Sequence, residues 1–127
     1  MAEVYYYPEL SKIVLDAAYK VHSSLGPGLF ESVYEACMEY ELTKRGCKVE
    51  RQLSLPVEYE GVFLAQGYRV DLLVDNSIIL ELKSVEALHD VHFKQLITYL
   101  RLSQKKVGYL MNFNVSSFKD GFHRKVL

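Results

Sequence analysis

The chain has 127 residues, a net charge of −1 and a pI near 6.4, with 50% hydrophobic and 24% charged residues. That length argues for one domain over residues 1–127, and the composition is that of a globular chain rather than a disordered or fibrous one. No apolar run reaches the roughly 20 residues needed to cross a bilayer, so no membrane partner is expected.

Met1-Ala2-Glu3-Val4 has neither the basic nor the apolar character of a secretory leader, which points to the cytoplasm. Cys37 and Cys47, the two cysteines, form no Cys-x-x-Cys pair and are expected as reduced core thiols rather than zinc ligands. A protein that grips long stretches of nucleic acid carries an excess of Lys and Arg. The charge balance here supplies none, so any nucleic-acid contact must be local, or assisted by a protein partner or a second copy in a homodimer.

In chain order, Leu10, Ile13, Val14, Ala17, Ala18, Val21 and Leu25 recur at helical steps and predict a helix from Pro8 to Leu25, ended by Gly26-Pro27-Gly28. A second helix is predicted from Leu29 to Arg45, with Leu29, Val33, Ala36, Cys37 and Tyr40 on its buried face and Gly46 closing it. From Lys48 the period becomes alternating: Val49, Arg51, Leu53, Leu55 and Val57 share one side of a strand, and Pro56 marks an edge or a bulge. Glu60-Gly61 reads as a turn. Strands are predicted over Tyr68–Val74 and Ile78–Val85, joined by Asp75-Asn76-Ser77. A helix follows from Leu88 to Leu102, its apolar side carrying Val91, Leu96 and Leu100, with Phe93 and Ile97 as further candidates. A strand over Lys106–Phe113 and a further one over Phe122–Leu127 complete the chain. The order predicts an α/β or α+β domain with a mixed sheet.

Chemistry concentrates on the hairpin. Glu81 and Lys83 share a face of a strand that is otherwise apolar, and burying either charge alone costs several kcal/mol. If Asp75-Asn76-Ser77 is a three-residue loop, Val74 faces Ile78, Asp71 faces Glu81 and Arg69 faces Lys83. Two carboxylates that close repel, and a hard cation such as Mg²⁺ or Mn²⁺ between them relieves the repulsion. The competing account is a solvated ladder of surface ion pairs.

Elsewhere, Gln95 and Tyr99 share a face of the third helix apart from the Leu96/Leu100 stripe, either as a polar surface or beside the site. His89 and His92 are expected to be exposed. Glu31 begins the second helix, either as an acid favoured by the helix dipole or as a third carboxylate aimed at the same cation. Tyr5-Tyr6-Tyr7 is either packed on the domain or a contact surface for a partner.

Together these residues resemble the PD-(D/E)XK nuclease superfamily, and within it the GxxExxY proteins. The likeness rests on Gly28, Glu31 and Tyr34, on Leu25-Gly26-Pro27-Gly28, on Tyr68-Arg69-Val70-Asp71, on Glu81-Leu82-Lys83 and on Gln95 with Tyr99. It covers Ile13 to Phe113, with Val70 standing where the superfamily's name has proline. The resemblance implies a restriction-endonuclease-like mixed β-sheet core flanked by helices. It implies that Asp71, Glu81 and the Leu82 carbonyl bind Mg²⁺ or Mn²⁺, with Glu31 completing the shell. Lys83 would orient the attacking water, and Gln95 and Tyr99 would support the site or touch the nucleic-acid backbone.

The expected function is metal-dependent hydrolysis of phosphodiester bonds in nucleic acid. The rival readings are a non-catalytic module that keeps the fold but binds a partner, and a metal-dependent hydrolase of small phosphorylated molecules. The latter lacks a P-loop, because Gly26-Pro27-Gly28 has no following Lys and Ser/Thr.

Overall fold

The computed structural model describes residues 4–127, the side chains of Ala65 and Gln66 apart; Met1-Ala2-Glu3, read above for leader chemistry, lie outside the described residues. The elements run α1 (Pro8–Leu25), α2 (Glu31–Lys44), β1 (Val49–Tyr59), β2 (Val62–Val74), β3 (Ile78–Lys83), α3 (Asp90–Ser103), β4 (Val107–Asn112), a 3₁₀ turn (Phe118–Asp120) and β5 (Phe122–Val126). The strands form one sheet in the order β1-β2-β3-β4-β5, with β3 and β4 parallel and every other pair antiparallel. The mixed sheet flanked by helices that the sequence predicted is present. Among the described residues, no helix is long and apolar enough to cross a membrane.

Both faces of the sheet are buried. Leu72, Val74, Ile78, Leu80, Leu82, Val107, Tyr109 and Met111 pack with α1 and α2, whereas Val70, Leu73, Ile79 and Leu110 pack with α3. Residues Ile78 to Leu82 are therefore buried without interruption, as expected of a central strand with a parallel neighbour. Gly108 lets α3 come close to β4: a Cβ there would lie 2.7 Å from Leu96 Cδ1.

Two helix faces differ from expectation. On α2 the buried residues are Tyr34, Glu35, Met38 and Leu42, while Val33 and Tyr40 are exposed. The sequence offers two stripes at helical spacing, and the bulkier Tyr34/Met38/Leu42 stripe removes more apolar surface from water. On α3 Val91 is 64% exposed and Tyr99 joins Leu96 and Leu100 in the core. The helix begins at Asp90, so Val91 lies in its exposed first turn.

Pro56 sits on the edge strand at a register shift between Leu55 and Val57, and Glu60-Gly61 forms the turn with both residues at positive φ. The alternation of β1 does not survive. Val49 packs on the α1/α2 side but Leu53 and Leu55 on the α3 side, because Gln52 between them takes a left-handed φ of 54°. Such a conformation in a non-glycine residue costs about 1–3 kcal/mol. On the paired strand Val70 and Leu72 likewise face opposite cores, with Asp71 between them. The outer half of the hairpin is thus turned over at Gln52 and Asp71.

Cys37 and Cys47 are both free thiols. Of the N-terminal tyrosines, Tyr6 packs against the core and its carbonyl accepts from Arg124, whose guanidinium also lies 4.2 Å from the Tyr5 ring centroid.

Candidate active site

The turn Asp75-Asn76-Ser77 is a three-residue loop, with Asp75 and Asn76 both left-handed and Val74 paired with Ile78. That register brings Asp71 opposite Glu81, but the β2–β3 ladder ends one step earlier, at Leu72 and Leu80. Side chains take over there. The Asp71 N–H donates to Glu81 Oε1 at 3.0 Å, and the Leu82 N–H donates to Asp71 Oδ2 at 2.8 Å. Each carboxylate thus caps the opposite strand's backbone in the gap where the strands part. Arg69 does not face Lys83; its ladder partner is Ser54, because β2 beyond Leu72 follows β1 rather than β3.

Glu81 is 4% exposed, which excludes a solvated surface ladder. Burial, reinforced by the Asp71 charge and by Glu35, pushes its carboxyl up to about 8, against the Asp71 N–H bond and Lys83. The Asp71 carboxyl is also raised, first by burial and also by Glu31, against the Leu82 N–H, Lys83 and Gln52. Lys83, at the end of β3, is the cation of this gap, and its carbonyl accepts from Phe113. Asn112, its partner in the parallel register, is buried and bonds both the N–H and the carbonyl of Val85, fixing the chain just beyond Lys83.

α2 approaches the gap with two acids. Glu31 is its first residue and is exposed, yet close enough for its charge to raise Asp71. Its position is set by the preceding loop, where Gly28 has a φ of 99° and the Tyr34 hydroxyl donates to the Gly26 carbonyl at 2.6 Å and accepts from the Leu29 N–H at 3.1 Å. The Tyr34 ring stacks on Phe113, and Ser84 bonds the Leu29 carbonyl, tying this loop to the end of β3. Gly28 and Tyr34 therefore build the support on which Glu31 stands.

The second acid is Glu35, which no sequence motif singled out. It is 7% exposed, paired with Arg51 and hydrogen-bonded by Gln52, and burial raises its carboxyl. The only signal in the sequence was its spacing, one helical turn after Glu31 on the Tyr34/Met38 side.

α3 closes the other face. Burial pushes the Tyr99 phenol up to about 12, with Glu81, Asp71 and Tyr68 adding to the rise and a Gln95 hydrogen bond opposing it. Gln95 and Tyr99 do lie together, but Tyr99 is buried in the Leu96/Leu100 stripe rather than apart from it. The Tyr68 and Tyr99 ring centroids are 5.4 Å apart, and Tyr68, Val91, Lys94, Gln95 and Thr98 line a shallow groove beside them. His92 caps α3 by accepting from the His89 N–H, and burial with the Lys83 charge lowers its pKa. His89 is exposed.

A family model for the PD-(D/E)XK nuclease superfamily matches residues 8–125. The chain belongs to that superfamily. No curated protein and no solved structure matched the chain. PD-(D/E)XK nucleases generally use divalent metals, and the oxygen donors at Asp71, Glu81 and Leu82 are of the hard type such metals take. Among the described residues, no three His, Cys, Asp or Glu side chains converge closely enough to hold a metal. The nuclease-like gap thus offers two inner carboxylates, with Glu31 and Glu35 standing further out.

Proposed function

We propose that the chain is a divalent-metal-dependent nuclease of the GxxExxY branch, hydrolysing phosphodiester bonds with Mg²⁺ or Mn²⁺ at Asp71, Glu81 and the Leu82 carbonyl and with Glu31 as an outer ligand. The crossed bonding of Asp71 and Glu81 carries this reading. It holds two carboxylates together in a largely buried gap where burial outweighs the Lys83 charge and raises the proton affinity of both, so a further cation there would stabilise their charged forms. The Leu82 N–H points at Asp71, and in an extended strand the same residue's carbonyl faces the same flank.

When bound, the metal would lower the pKa of a water and offset charge on the phosphate. The Lys83 ammonium would orient an attacking water and donate to a phosphate oxygen as negative charge grows there. Tyr99, kept protonated by its surroundings, is a donor at all working pH values. Gln95 fixes Tyr99, and the groove of Tyr68, Lys94 and Thr98 gives a nucleic-acid strand one aromatic face and one cation without needing a basic surface overall.

The test is cleavage of single- and double-stranded DNA and RNA with Mn²⁺ or Mg²⁺ by the natural chain, Glu81→Ala and Lys83→Ala. Loss of cleavage in both variants is expected. Equal cleavage by all three would end the reading.

One observation favours a second reading, a partner-binding module on the nuclease fold. Tyr59, Val62, Phe63 and Leu64 are exposed at the hairpin tip, flanked by the acids Glu58 and Glu60. Absence of both cleavage and Mn²⁺ binding in the natural chain would select it.

A further inference from the structure

We propose that Gln52 is a positioning residue that fixes the Asp71 carboxylate, with Glu35 holding the Gln52 amide from α2; its bearing on metal rests on the reading above. Gln52 stands in β1 where Asp71 would be its cross-strand partner, yet neither residue joins the ladder, which resumes at Leu53 and Val70. Its φ of 54° directs the side chain out of the alternation of β1. The amide Nε2 is bonded to Glu35 Oε1 and lies 3.4 Å from Asp71 Oδ1. An amide nitrogen has two hydrogens, so one group can serve both carboxylates.

Asp71 is thereby held at both oxygens, Oδ1 by Gln52 and Oδ2 by the Leu82 N–H. Glu35 is itself anchored by Arg51, which also pairs with Glu39 on the next turn of α2. A continuous chain of polar contacts runs Glu39–Arg51–Glu35–Gln52–Asp71–Leu82. It joins the outer surface of α2 to the backbone of β3 through one kinked residue.

The choice of residue is informative. If the kink served only to turn the hairpin over, glycine would supply it without strain. Glutamine keeps the strain and adds the amide. Strained backbone persists where the surroundings over-determine it, and here they do so through two carboxylates.

Gln52→Gly separates the two roles, since it relieves the backbone while deleting the amide. The expected result is an unfolding midpoint equal to or above that of the natural chain. In the metal-free protein the Leu82 amide should exchange about tenfold faster, because its acceptor is no longer fixed. Calorimetry should show Mn²⁺ binding weakened about tenfold, the usual scale for losing a residue that orients a ligand. Glu35→Ala should reproduce both losses, and Glu35→Gln, which keeps an acceptor for the amide, should restore most of them.

Unchanged Leu82 exchange in Gln52→Gly and in Glu35→Ala would overturn the role of Gln52. If the natural chain binds no Mn²⁺, the metal reading fails by itself, and Leu82 exchange still decides the role of Gln52.

Discussion

Asp71 and Glu81 are bound to each other's strands rather than to each other: the Asp71 N–H meets Glu81 Oε1, and Asp71 Oδ2 meets the N–H of Leu82 beside Glu81. Removing the Asp71 side chain leaves the Leu82 N–H without its acceptor. Asp71→Ala should cost about 1–3 kcal/mol, the usual scale for a buried donor left unmade, whereas Asp71→Asn keeps an acceptor oxygen and should cost less. Urea unfolding of the two variants, compared at one pH, measures the difference. Equal losses would mean that the Leu82 bond contributes nothing.

Glu81 gives the metal-free protein a characteristic pH dependence. Its folded carboxyl sits at about 8 against an ordinary value of 4.5, so between these values the folded state holds a proton that the unfolded chain has released. Its stabilising contribution is complete below about pH 4.5 and is lost as pH rises through about 8. The raised carboxyls of Asp71 and Glu35 act with the same sign. In chelator, the natural chain should therefore unfold more readily at pH 8 than at pH 5.5. Glu81→Gln, which removes the buried charge and keeps an acceptor, should flatten that trend and gain on the order of 2 kcal/mol at pH 8. A natural chain equally stable at both pH values, with Glu81→Gln following the same profile, would contradict this.

Tyr34 is a structural clasp with a functional consequence. Tyr34→Phe keeps the stack on Phe113 but loses the bonds to the Gly26 carbonyl and the Leu29 N–H. The expected cost is about 1–2 kcal/mol, with faster exchange at the Leu29 amide while the β3–β4 ladder stays protected. Loss confined to the loop would show that the tyrosine fixes where α2, and so Glu31, begins.

Lys83 should separate activity from stability. It ends β3 and is half-buried, so Lys83→Met keeps the stem and removes the charge. Phosphodiester cleavage should fall by about 10²-fold or more, the scale of a lost proton-transfer or charge-stabilising group. The unfolding midpoint in chelator should move little. A variant that cleaves at the natural rate would remove Lys83 from the chemistry.

Period and punctuation in the sequence determined the kinds of element and their order and, on condition of a three-residue turn at Asp75-Asn76-Ser77, the parity that puts Asp71 opposite Glu81; that β2 starts as early as Val62 was not legible. The legible features are local properties: helical or alternating spacing, and residues such as Asp75 and Asn76 that accept left-handed backbone. The composition of Ile78–Leu82 also signalled burial around Glu81. The face of α2 was not legible, since two stripes compete within one helix and only packing against α1 and the sheet chose Tyr34, Met38 and Leu42.

The kink at Gln52 was equally hidden. Nothing local favours a left-handed glutamine in a strand, and it exists because Glu35 and Asp71, 17 residues before it and 19 after, both take its amide. Spacing along the chain could pair the carboxylates of one hairpin. Bringing an acid from α2 and a phenol from α3 to the same gap required the whole sheet, because those groups meet only where both faces of β3 are covered.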